Sequence, residues 1–334
     1  MARAIAGQAV VITGASSGIG REAALRFAGR GAQVALVARN AEALAQVQAQ
    51  IEKAGGRSLV LTADVADWPQ VKRVAEQAAD ALGHIDTWVN NAGVSVYGAF
   101  EQIPVDEFRR VVDVVLMGQV HGARAALPYL KEAGGTLIGV GSVVSQVPLP
   151  LQTPYVAAKW ALKGFYDTLR LEQERECGGV QVSLIMPSSV DTPLFEHARS
   201  HLGVEPGPIP PVYEPGVVAE AILYAASHPL RDLTVGAGVV LTAVQRLWPQ
   251  AADVVMRRVA FTEQLTREPE LPSAPNNLWN PVPGRGAIHG GFRALSFDPY
   301  AWLRLHPVAG RGVVAATLAA LTLPAALFLA RRRP

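Results

Sequence analysis

The sequence predicts an α/β fold in which a doubly wound parallel sheet carries helices on both faces. Over roughly the first 240 residues, short apolar runs alternate with longer alanine-rich or amphipathic stretches, which is the pattern of repeated strand–helix–strand units. Residues 9–12 (Ala-Val-Val-Ile) and 34–37 (Val-Ala-Leu-Val) are apolar throughout. Because strands that are buried on both faces have such continuous apolar runs, the pattern favours a parallel sheet between two helical layers.

The predicted strands follow one another in chain order, and each is followed by a stretch of helical composition. Beyond this alternation the chain shows no internal repeat with a period of roughly 20 to 50 residues. The runs that we predict as strands cover residues 8–13, 33–38, 58–62, 87–90, 136–140 and 180–185.

The alternation stops near Gly236, and the rest of the chain is organised differently. Residues 241–266 have the mixture of apolar, arginine and glutamine side chains that is typical of helices, whereas 267–300 is rich in proline, glycine and asparagine. We interpret this second stretch as an irregular arm; a lid over a substrate is the alternative, and the sequence leaves both open. We therefore divide the chain into an α/β domain of residues 1–240, an extension of residues 241–307 and a candidate membrane helix at residues 308–330.

The last segment of the chain is apolar enough to enter a membrane. Residues 312–330 contain no charged side chain, and as a helix at about 1.5 Å per residue these nineteen residues would nearly cover a hydrocarbon layer of about 30 Å. Arg311 precedes them and three arginines follow, while Tyr300 and Trp302 lie where an interfacial belt is expected. We predict a membrane anchor. A buried core helix and a helix lying in one leaflet are the alternatives, because three arginines on the far side oppose the positive-inside tendency.

Composition and charge exclude several classes of partner. The formal charge of +2 is small and the arginines are scattered through the α/β part, so nucleic-acid binding is not expected. The chain has 1 cysteine, which excludes an internal disulfide, and no cysteine or histidine cluster has the spacing of metal ligands. The residues before the first strand are too few for a signal peptide. We expect a main domain in the cytoplasm, no export and no bound metal.

A glycine-rich turn joins the first predicted strand to the first helix. Residues 13–20 are Thr-Gly-Ala-Ser-Ser-Gly-Ile-Gly. The glycines allow the backbone to turn sharply and to approach a diphosphate, whose negative charge then faces the N-terminus of the helix. In this strand–turn–helix context the motif predicts a dinucleotide-binding site.

The end of the second predicted strand indicates which dinucleotide is preferred. Arg39 stands where a protein that prefers NAD usually has an acidic residue to bind the ribose 2′-hydroxyl. A guanidinium group suits a 2′-phosphate, and no carboxylate is present to repel that phosphate. The sequence therefore predicts NADP; the alternative is that Arg39 is merely a solvated loop residue.

Three residues form a candidate proton-transfer centre. Tyr155 and Lys159 are four positions apart, and Ser142 lies thirteen positions upstream of Tyr155. On a helix, residues four apart lie on one face, so the ammonium would sit beside the phenol. At about 4 Å and an effective dielectric constant of about 20, it would favour the phenolate by about 4 kcal/mol before desolvation is subtracted, which lowers the pKa of the tyrosine. Ser142 could hydrogen-bond a substrate oxygen, so the trio predicts chemistry on a carbonyl or an alcohol.

These motifs occur in one order along the chain, together with Asn90-Asn91-Ala92-Gly93 after the fourth predicted strand. That order resembles the classical short-chain dehydrogenase/reductase family over about residues 7–240. The resemblance implies a Rossmann-type sheet of about seven strands and hydride transfer between NADP(H) and a carbonyl or alcohol, with catalytic Ser142, Tyr155 and Lys159. With the residues above, it implies cofactor contacts from Gly14, Ser16, Ser17, Gly18, Ile19, Gly20, Arg39, Asp64, Val65, Asn90, Ala92, Gly93, Tyr155, Lys159, Pro187, Val190 and Thr192.

Two positions depart from the family pattern. Ser188 replaces a glycine that normally follows Pro187, which changes the turn before Thr192. Val115 stands where the family has an asparagine that helps to hold a proton-relaying water, and valine cannot form a hydrogen bond. Gln119, one helical turn further on, could supply an amide instead, or it could be an ordinary packed polar residue.

The combined prediction is an NADP(H)-dependent oxidoreductase for a hydrophobic substrate. Apolar residues after Ser142 (Val143, Val144, Val147, Leu149 and Leu151) and after Thr192 (Leu194 and Phe195) suggest an apolar pocket, although they could equally pack on the domain itself. The first alternative is a non-catalytic NADP-binding scaffold at a membrane. The second, nucleotide-sugar epimerase or dehydratase chemistry, is typical of relatives with another glycine spacing. Homo-oligomers are common in the family, so one is possible here.

Overall fold

A parallel sheet forms the centre of the protein. The computed structural model describes residues 3–176, 179–269, 274–284 and 286–307. Within these ranges the strands are β1 (Ala9–Thr13), β2 (Gln33–Ala38), β3 (Arg57–Thr62), β4 (Thr87–Asn90), β5 (Val96–Tyr97), β6 (Thr136–Val140), β7 (Gln181–Pro187), β8 (Arg199–Ser200), β9 (Val204–Pro206), β10 (Asp232–Val235) and β11 (Leu265–Pro269). The helices are α1 (Gly18–Gly29), α2 (Ala41–Lys53), α3 (Trp68–Leu82), α4 (Val105–Val112), α5 (Gly118–Ala133), α6 (Thr153–Arg175), α7 (Pro215–Ser227), α8 (Gly238–Leu247), α9 (Pro249–Glu263) and α10 (Pro299–Leu305).

Seven strands pair in the order β10-β7-β6-β4-β1-β2-β3, and every neighbouring pair is parallel. Strands β1 and β6 are buried along their whole length, which explains their continuous apolar sequences. The six predicted strands coincide with β1, β2, β3, β4, β6 and β7 to within two residues. The predicted Rossmann-type α/β fold with seven strands is therefore confirmed, and β10 is the strand that the sequence pattern did not locate.

The hydrophobic core has two layers, one on each face of the sheet. On one face, Val74 of α3, Ala126 of α5 and Leu162 of α6 pack into one buried cluster. On the other face, Ala24 of α1 and Ile222 of α7 belong to a second cluster. The sheet is thus covered on both sides, and its carboxyl edge is left as the place where loops can form a site.

The extension packs against this domain. The predicted helical stretch forms α8 and α9, which meet at Trp248, and β11 then pairs antiparallel with β9. Leu278 is fully buried in the first core cluster, and Ala301 of α10 is buried in the second. Because both clusters include side chains from the extension, its irregular part runs back across the domain. The candidate membrane helix at 308–330 lies outside the described residues, and no helix within the described ranges combines the length and the apolar composition needed to cross a bilayer.

Candidate active site

A cleft of about 680 Å³ runs along the carboxyl ends of the parallel strands. It passes the ends of β1 and β4, between which the strand order changes direction. Ligands of doubly wound sheets bind at such a switch point because the loops diverge there. The glycine-rich turn lines one part of the cleft, and the candidate catalytic residues line another.

The glycine-rich turn has the backbone geometry that its sequence predicts. Gly14 and Gly18 have φ angles of +70° and +54°, which favour glycine. A Cβ atom on Gly20 would lie 2.2 Å from the carbonyl oxygen of Gly14, so Gly20 packs inside the turn instead of lining the cleft. Helix α1 begins here, and its first turn has no acidic residue and no hydroxyl cap from Ser17. The positive end of the helix dipole therefore lies at the cleft and suits a diphosphate, and the Gly18 amide at this end donates to the Ala287 carbonyl at 2.8 Å.

Arg39 and Asp64 line the far end of the cleft, and the buried Arg110 contacts Asp64 from behind this lining. The Asp64 carboxylate, just after β3, is 2.5 Å from the Arg110 guanidinium and 3.9 Å from that of Arg39. Arg39 donates hydrogen bonds to carbonyl oxygens in the extension, including that of Trp279 at 2.8 Å. Burial lowers the pKa of Arg39, whereas Asp64 raises it. The structure thus brings together Arg39 and Asp64, two of the residues predicted to bind the cofactor, and adds Arg110, which no motif indicated. We name the part of the cleft lined by Arg39 and Asp64 the adenosine end, after the part of the cofactor expected there.

Asn90 is placed differently from the expectation. Its side chain is buried, donates to Tyr166 Oη at 3.1 Å and to the Gln119 carbonyl at 3.0 Å, and accepts from Trp88 Nε1 at 2.8 Å. Protein groups therefore satisfy the amide, and a cofactor contact from Asn90 would have to come from its backbone. Ala92 and Gly93, which follow it, do line the cleft, as do Pro187, Val190 and Thr192.

Ser142, Tyr155 and Lys159 all line the same part of the cleft. Tyr155 lies in the first turns of α6, and Lys159 follows one turn later with its Nζ 5.4 Å from the centroid of the tyrosine ring. Lys159 is 3% exposed and donates to the Val140 carbonyl at 2.8 Å. Ser142 ends the loop after β6, where its hydroxyl accepts from the Val144 amide at 3.3 Å. The predicted trio is therefore assembled by α6 and the β6 loop.

The electrostatics of the pair differ from the expectation. Burial raises the pKa of Tyr155, and its hydrogen bond with Ser142 only partly opposes this. Burial also lowers the pKa of Lys159 to about 7. The predicted fall in the tyrosine pKa does not occur in this geometry, because desolvation dominates and the ammonium is directed at the Val140 carbonyl. The phenol is held in its protonated form, which is the form that donates a proton.

A buried amide lies behind the lysine. Val115 is fully buried in the core, and Gln119 is 2% exposed. Gln119 Nε2 donates to the Val140 carbonyl at 3.0 Å, and its Oε1 accepts from Tyr166 Oη at 2.8 Å. Both polar atoms of the Gln119 amide are thus bonded to protein groups, which agrees with the packed polar residue that the sequence left as one of two alternatives. Gln119 shares with Lys159 one carbonyl acceptor, a contact that the sequence spacing could not show.

The part of the cleft beyond the trio is mainly apolar. Most of the predicted lining residues are present, but Leu151 is not among them. The extension supplies a wall that the sequence did not indicate, because nothing in its helical pattern identifies the domain surface that it faces. The apolar residues of α8 and α9 that line the cleft are Val240, Leu241, Val244, Val255, Met256 and Val259.

Comparisons with known proteins agree with this arrangement. Residues 8–203 match the family model described as short chain dehydrogenase. An uncharacterized oxidoreductase of Bacillus subtilis, YxnA, is 37% identical over 319 residues, which are 93% of this chain and 89% of that protein. A 3-dehydrosphinganine reductase of Danio rerio is 36% identical over 195 residues, which are 57% of this chain and 58% of that protein.

A solved structure extends the comparison to the fold. An alcohol dehydrogenase from the archaeon Thermococcus sibiricus, complexed with 5-hydroxy-NADP, is 26% identical and superposes with a TM-score of 0.60, covering 68% of this chain and 94% of that chain. The family model alone spans more than half of the 334 residues. The chain therefore belongs to the short-chain dehydrogenase/reductase family, whose members bind a nicotinamide cofactor, and it is an oxidoreductase for alcohol or ketone groups.

Proposed function

We propose that the protein is an NADP(H)-dependent oxidoreductase that interconverts a carbonyl group and an alcohol on a hydrophobic substrate, with Tyr155 as the general acid–base. The observation that carries this proposal is the position of the Tyr155 phenol, beside Ser142 and with Lys159 Nζ 5.4 Å from its ring centroid, in the cleft that begins at the glycine-rich turn. A protonated tyrosine can donate a proton to the substrate oxygen, which is the general-acid step of carbonyl reduction.

The cleft has hydrogen-bond donors and a helix N-terminus that suit a nicotinamide dinucleotide. Helix α1 directs its positive end at the cleft. A Cβ atom at Gly93, in the loop after β4, would have no heavy atom closer than 3.9 Å, so there is room beside this backbone. When bound, the nicotinamide supplies or accepts the hydride. Ser142 donates a hydrogen bond to the substrate oxygen, and Tyr155 gives its proton to that oxygen as negative charge develops. Lys159 holds the cofactor ribose and supports the tyrosinate that remains, and alcohol oxidation is the reverse.

The preference for NADP rests on charge at the adenosine end. Arg39 and Arg110 face one carboxylate, Asp64, so this end of the cleft has a net positive charge. A 2′-phosphate would gain charge-assisted hydrogen bonds there, which a 2′-hydroxyl cannot match.

The preference for a hydrophobic substrate rests on the walls around Tyr155. Apolar side chains from the β6 loop, from the segment after Thr192, and from α8 and α9 enclose the space in front of the phenol. The name of one relative, 3-dehydrosphinganine reductase, describes a protein that acts on a lipid-like ketone. A membrane anchor at residues 308–330, which the sequence predicts, would suit such a substrate.

A substrate panel tests the proposal. Full-length protein in detergent is given long-chain ketones, aldehydes and alcohols with NADPH or NADP, and in parallel with NADH or NAD. We expect reduction of at least one long-chain ketone, faster with NADPH. Activity that sediments with membranes before detergent is added supports the anchor, and activity that stays in the supernatant contradicts it.

A matched pair of tyrosine variants tests the mechanism. Tyr155→Phe removes the proton donor and should lower turnover by about 10²- to 10⁴-fold while NADPH still binds. Tyr224→Phe is the control, because Tyr224 lies on α7 and stacks on His228 away from the cleft. Substantial turnover in Tyr155→Phe would defeat the mechanism. NADPH binding without turnover of any compound by the wild type would favour the scaffold alternative.

A further inference from the structure

The irregular part of the extension crosses the cofactor end of the cleft. We name residues 277–284 and 286–292 the strap. At its first end, Leu278 is fully buried in the core, and the Asn277 amide donates to the His197 carbonyl at 2.8 Å. Arg110 Nε donates to the Leu278 carbonyl at 2.9 Å, and Arg39 donates to the carbonyl oxygens of Asn277, Leu278 and Trp279. The backbone of the strap thus fixes Arg39 at the adenosine end and Arg110 behind it.

The middle of the strap lies against the glycine-rich turn. Asn40 Nδ2 donates to the Val282 carbonyl at 3.0 Å, and the Gly18 amide donates to the Ala287 carbonyl at 2.8 Å. Gly286 is packed so closely that a Cβ atom there would lie 2.0 Å from the Ser16 carbonyl oxygen, and its own carbonyl accepts from Arg21. The strap therefore follows the edge of the cleft from the end of β2 to the start of α1.

The other end of the strap is held by one carboxylate. Asp191 is 4% exposed, and its Oδ1 accepts from the amides of Gly290 and Phe292 at 2.9 Å each. Its Oδ2 lies 2.9 Å from His289 Nδ1. Asp191 belongs to the loop after β7, between two residues that line the cleft, Val190 and Thr192. The strap is thus attached on both sides of the cofactor end.

We propose that the strap is a wall of the dinucleotide site: it holds Arg39 for the 2′-phosphate, with Arg110 fixed behind it, and closes over the diphosphate, so that the cofactor leaves only when the strap opens. This inference rests on the proposed NADP(H) binding. It assigns a role to Asn277, Val282, Gly284 and Gly286, all of which line the cleft together with Arg39 and the glycine-rich turn.

The distribution of burial indicates how the strap opens. Its first end is held by a buried leucine, whereas Pro281, Pro283, Gly284 and Ala287 in the middle are exposed. The contacts there are hydrogen bonds from Asn40, Gly18 and Arg21 to the strap backbone, with little apolar burial. A segment with few buried apolar contacts opens at low free-energy cost, so the strap opens from its middle through Gly290 and Phe292 while the buried Leu278 end stays attached.

Cofactor dissociation kinetics test the proposal. NADPH bound to full-length protein is displaced by excess NADP, and the loss of its fluorescence is followed by stopped flow. Leu278→Ala removes the buried anchor, and we expect the dissociation rate of NADPH to rise about tenfold or more. The rise should be smaller for NADH, which has no 2′-phosphate to contact Arg39. Leu130→Ala is the matched control, because Leu130 is equally buried in the same core cluster but lies on α5 away from the cleft.

Equal dissociation rates in the wild type, Leu278→Ala and Leu130→Ala would overturn the strap while leaving NADPH binding intact. Failure of the wild type to bind NADPH would instead overturn the proposed function. Hydrogen exchange of the wild type tests whether the strap closes over NADPH even if Leu278→Ala does not fold. The amides of Gly290 and Phe292, which donate to Asp191, should exchange at least several-fold more slowly when NADPH is bound, and unchanged exchange contradicts closure over the cofactor.

Discussion

The sheet domain and the extension meet at one cleft but supply it with different kinds of groups. From the sheet domain come side chains that can exchange protons or bind anions, such as Tyr155, Lys159 and Arg39. From the extension come backbone carbonyl groups, such as those of Leu278 and Ala287, and apolar side chains such as Met256. Chemistry and enclosure are therefore separable here. Substitutions of the proton-exchanging residues in the sheet domain should change turnover, and substitutions in the extension should change binding.

After loss of the Tyr155 phenol itself, the largest effect on turnover is expected from Lys159→Met in the sheet domain. Methionine keeps the length of the side chain but removes the ammonium that supports the tyrosinate and holds the ribose. We expect turnover to fall by at least about 100-fold, as for other losses of acid–base assistance. Steady-state kinetics at saturating NADPH provide the measurement. A variant with near-normal turnover would remove Lys159 from the catalytic group.

The same variant tests the burial of the charge through the pH dependence of stability. The pKa of Lys159 falls from its ordinary 10.5 to about 7 on folding. Between these pH values Lys159 is protonated in the unfolded chain and neutral in the folded protein. The free energy of unfolding of the wild type therefore increases with pH over this range. Below about pH 7 both forms are protonated and the full cost of the buried ammonium is present. The Tm of Lys159→Met should therefore exceed that of the wild type by most below about pH 7, and this excess should shrink towards pH 10.5. A Tm difference that does not change with pH would contradict the burial of the Lys159 ammonium.

A smaller effect on turnover is expected from Gln119→Leu. This change removes one of the two donors to the Val140 carbonyl, so the carbonyl holds the Lys159 ammonium more strongly. We expect turnover to fall about tenfold, a partial loss of acid–base assistance, because an ammonium held more strongly by the carbonyl supports the tyrosinate less. The stability of the fold should separately fall by about 1–3 kcal/mol, because Tyr166 Oη loses its buried acceptor. NADPH affinity should not change. Because a hydrogen bond to the charged form raises the pKa of a lysine, the limb of the pH–rate profile that reports Lys159 should move to higher pH.

Gln48→Leu is the control for that variant, because Gln48 also donates to a backbone carbonyl, that of Ser58, but on α2 away from Lys159. If both variants lose the same stability and leave the pH–rate profile unmoved, Gln119 is a packing residue only.

The two regions also differ in how far the sequence predicted them. The glycine-rich turn, Arg39 and the trio were found because their roles require particular side chains at fixed spacing, and such requirements are visible in a sequence. The buried side chain of Asn90 was not expected, and Gln119 was left open between a relay amide and a packed polar residue. The hydrogen-bond partners of these residues, Tyr166 and the Val140 carbonyl, come from distant strands and helices. The strap was left undecided between an arm and a lid, since its contacts run through backbone carbonyl groups, which every residue has.

The smallest effect is expected from a change in the apolar wall of the extension. Met256 on α9 is buried against Val147 and lines the cleft beyond Tyr155. In Met256→Ala, each methylene of the bound substrate that is no longer buried against the side chain should cost about 0.8 kcal/mol of binding free energy. We therefore expect KM for a long-chain ketone to rise about fourfold for each such methylene, with kcat unchanged. Val254→Ala on the exposed side of the same helix is the control. If Met256→Ala lowered kcat as much as Gln119→Leu does, the extension would take part in the chemistry, and the separation between a reacting domain and an enclosing one would not hold.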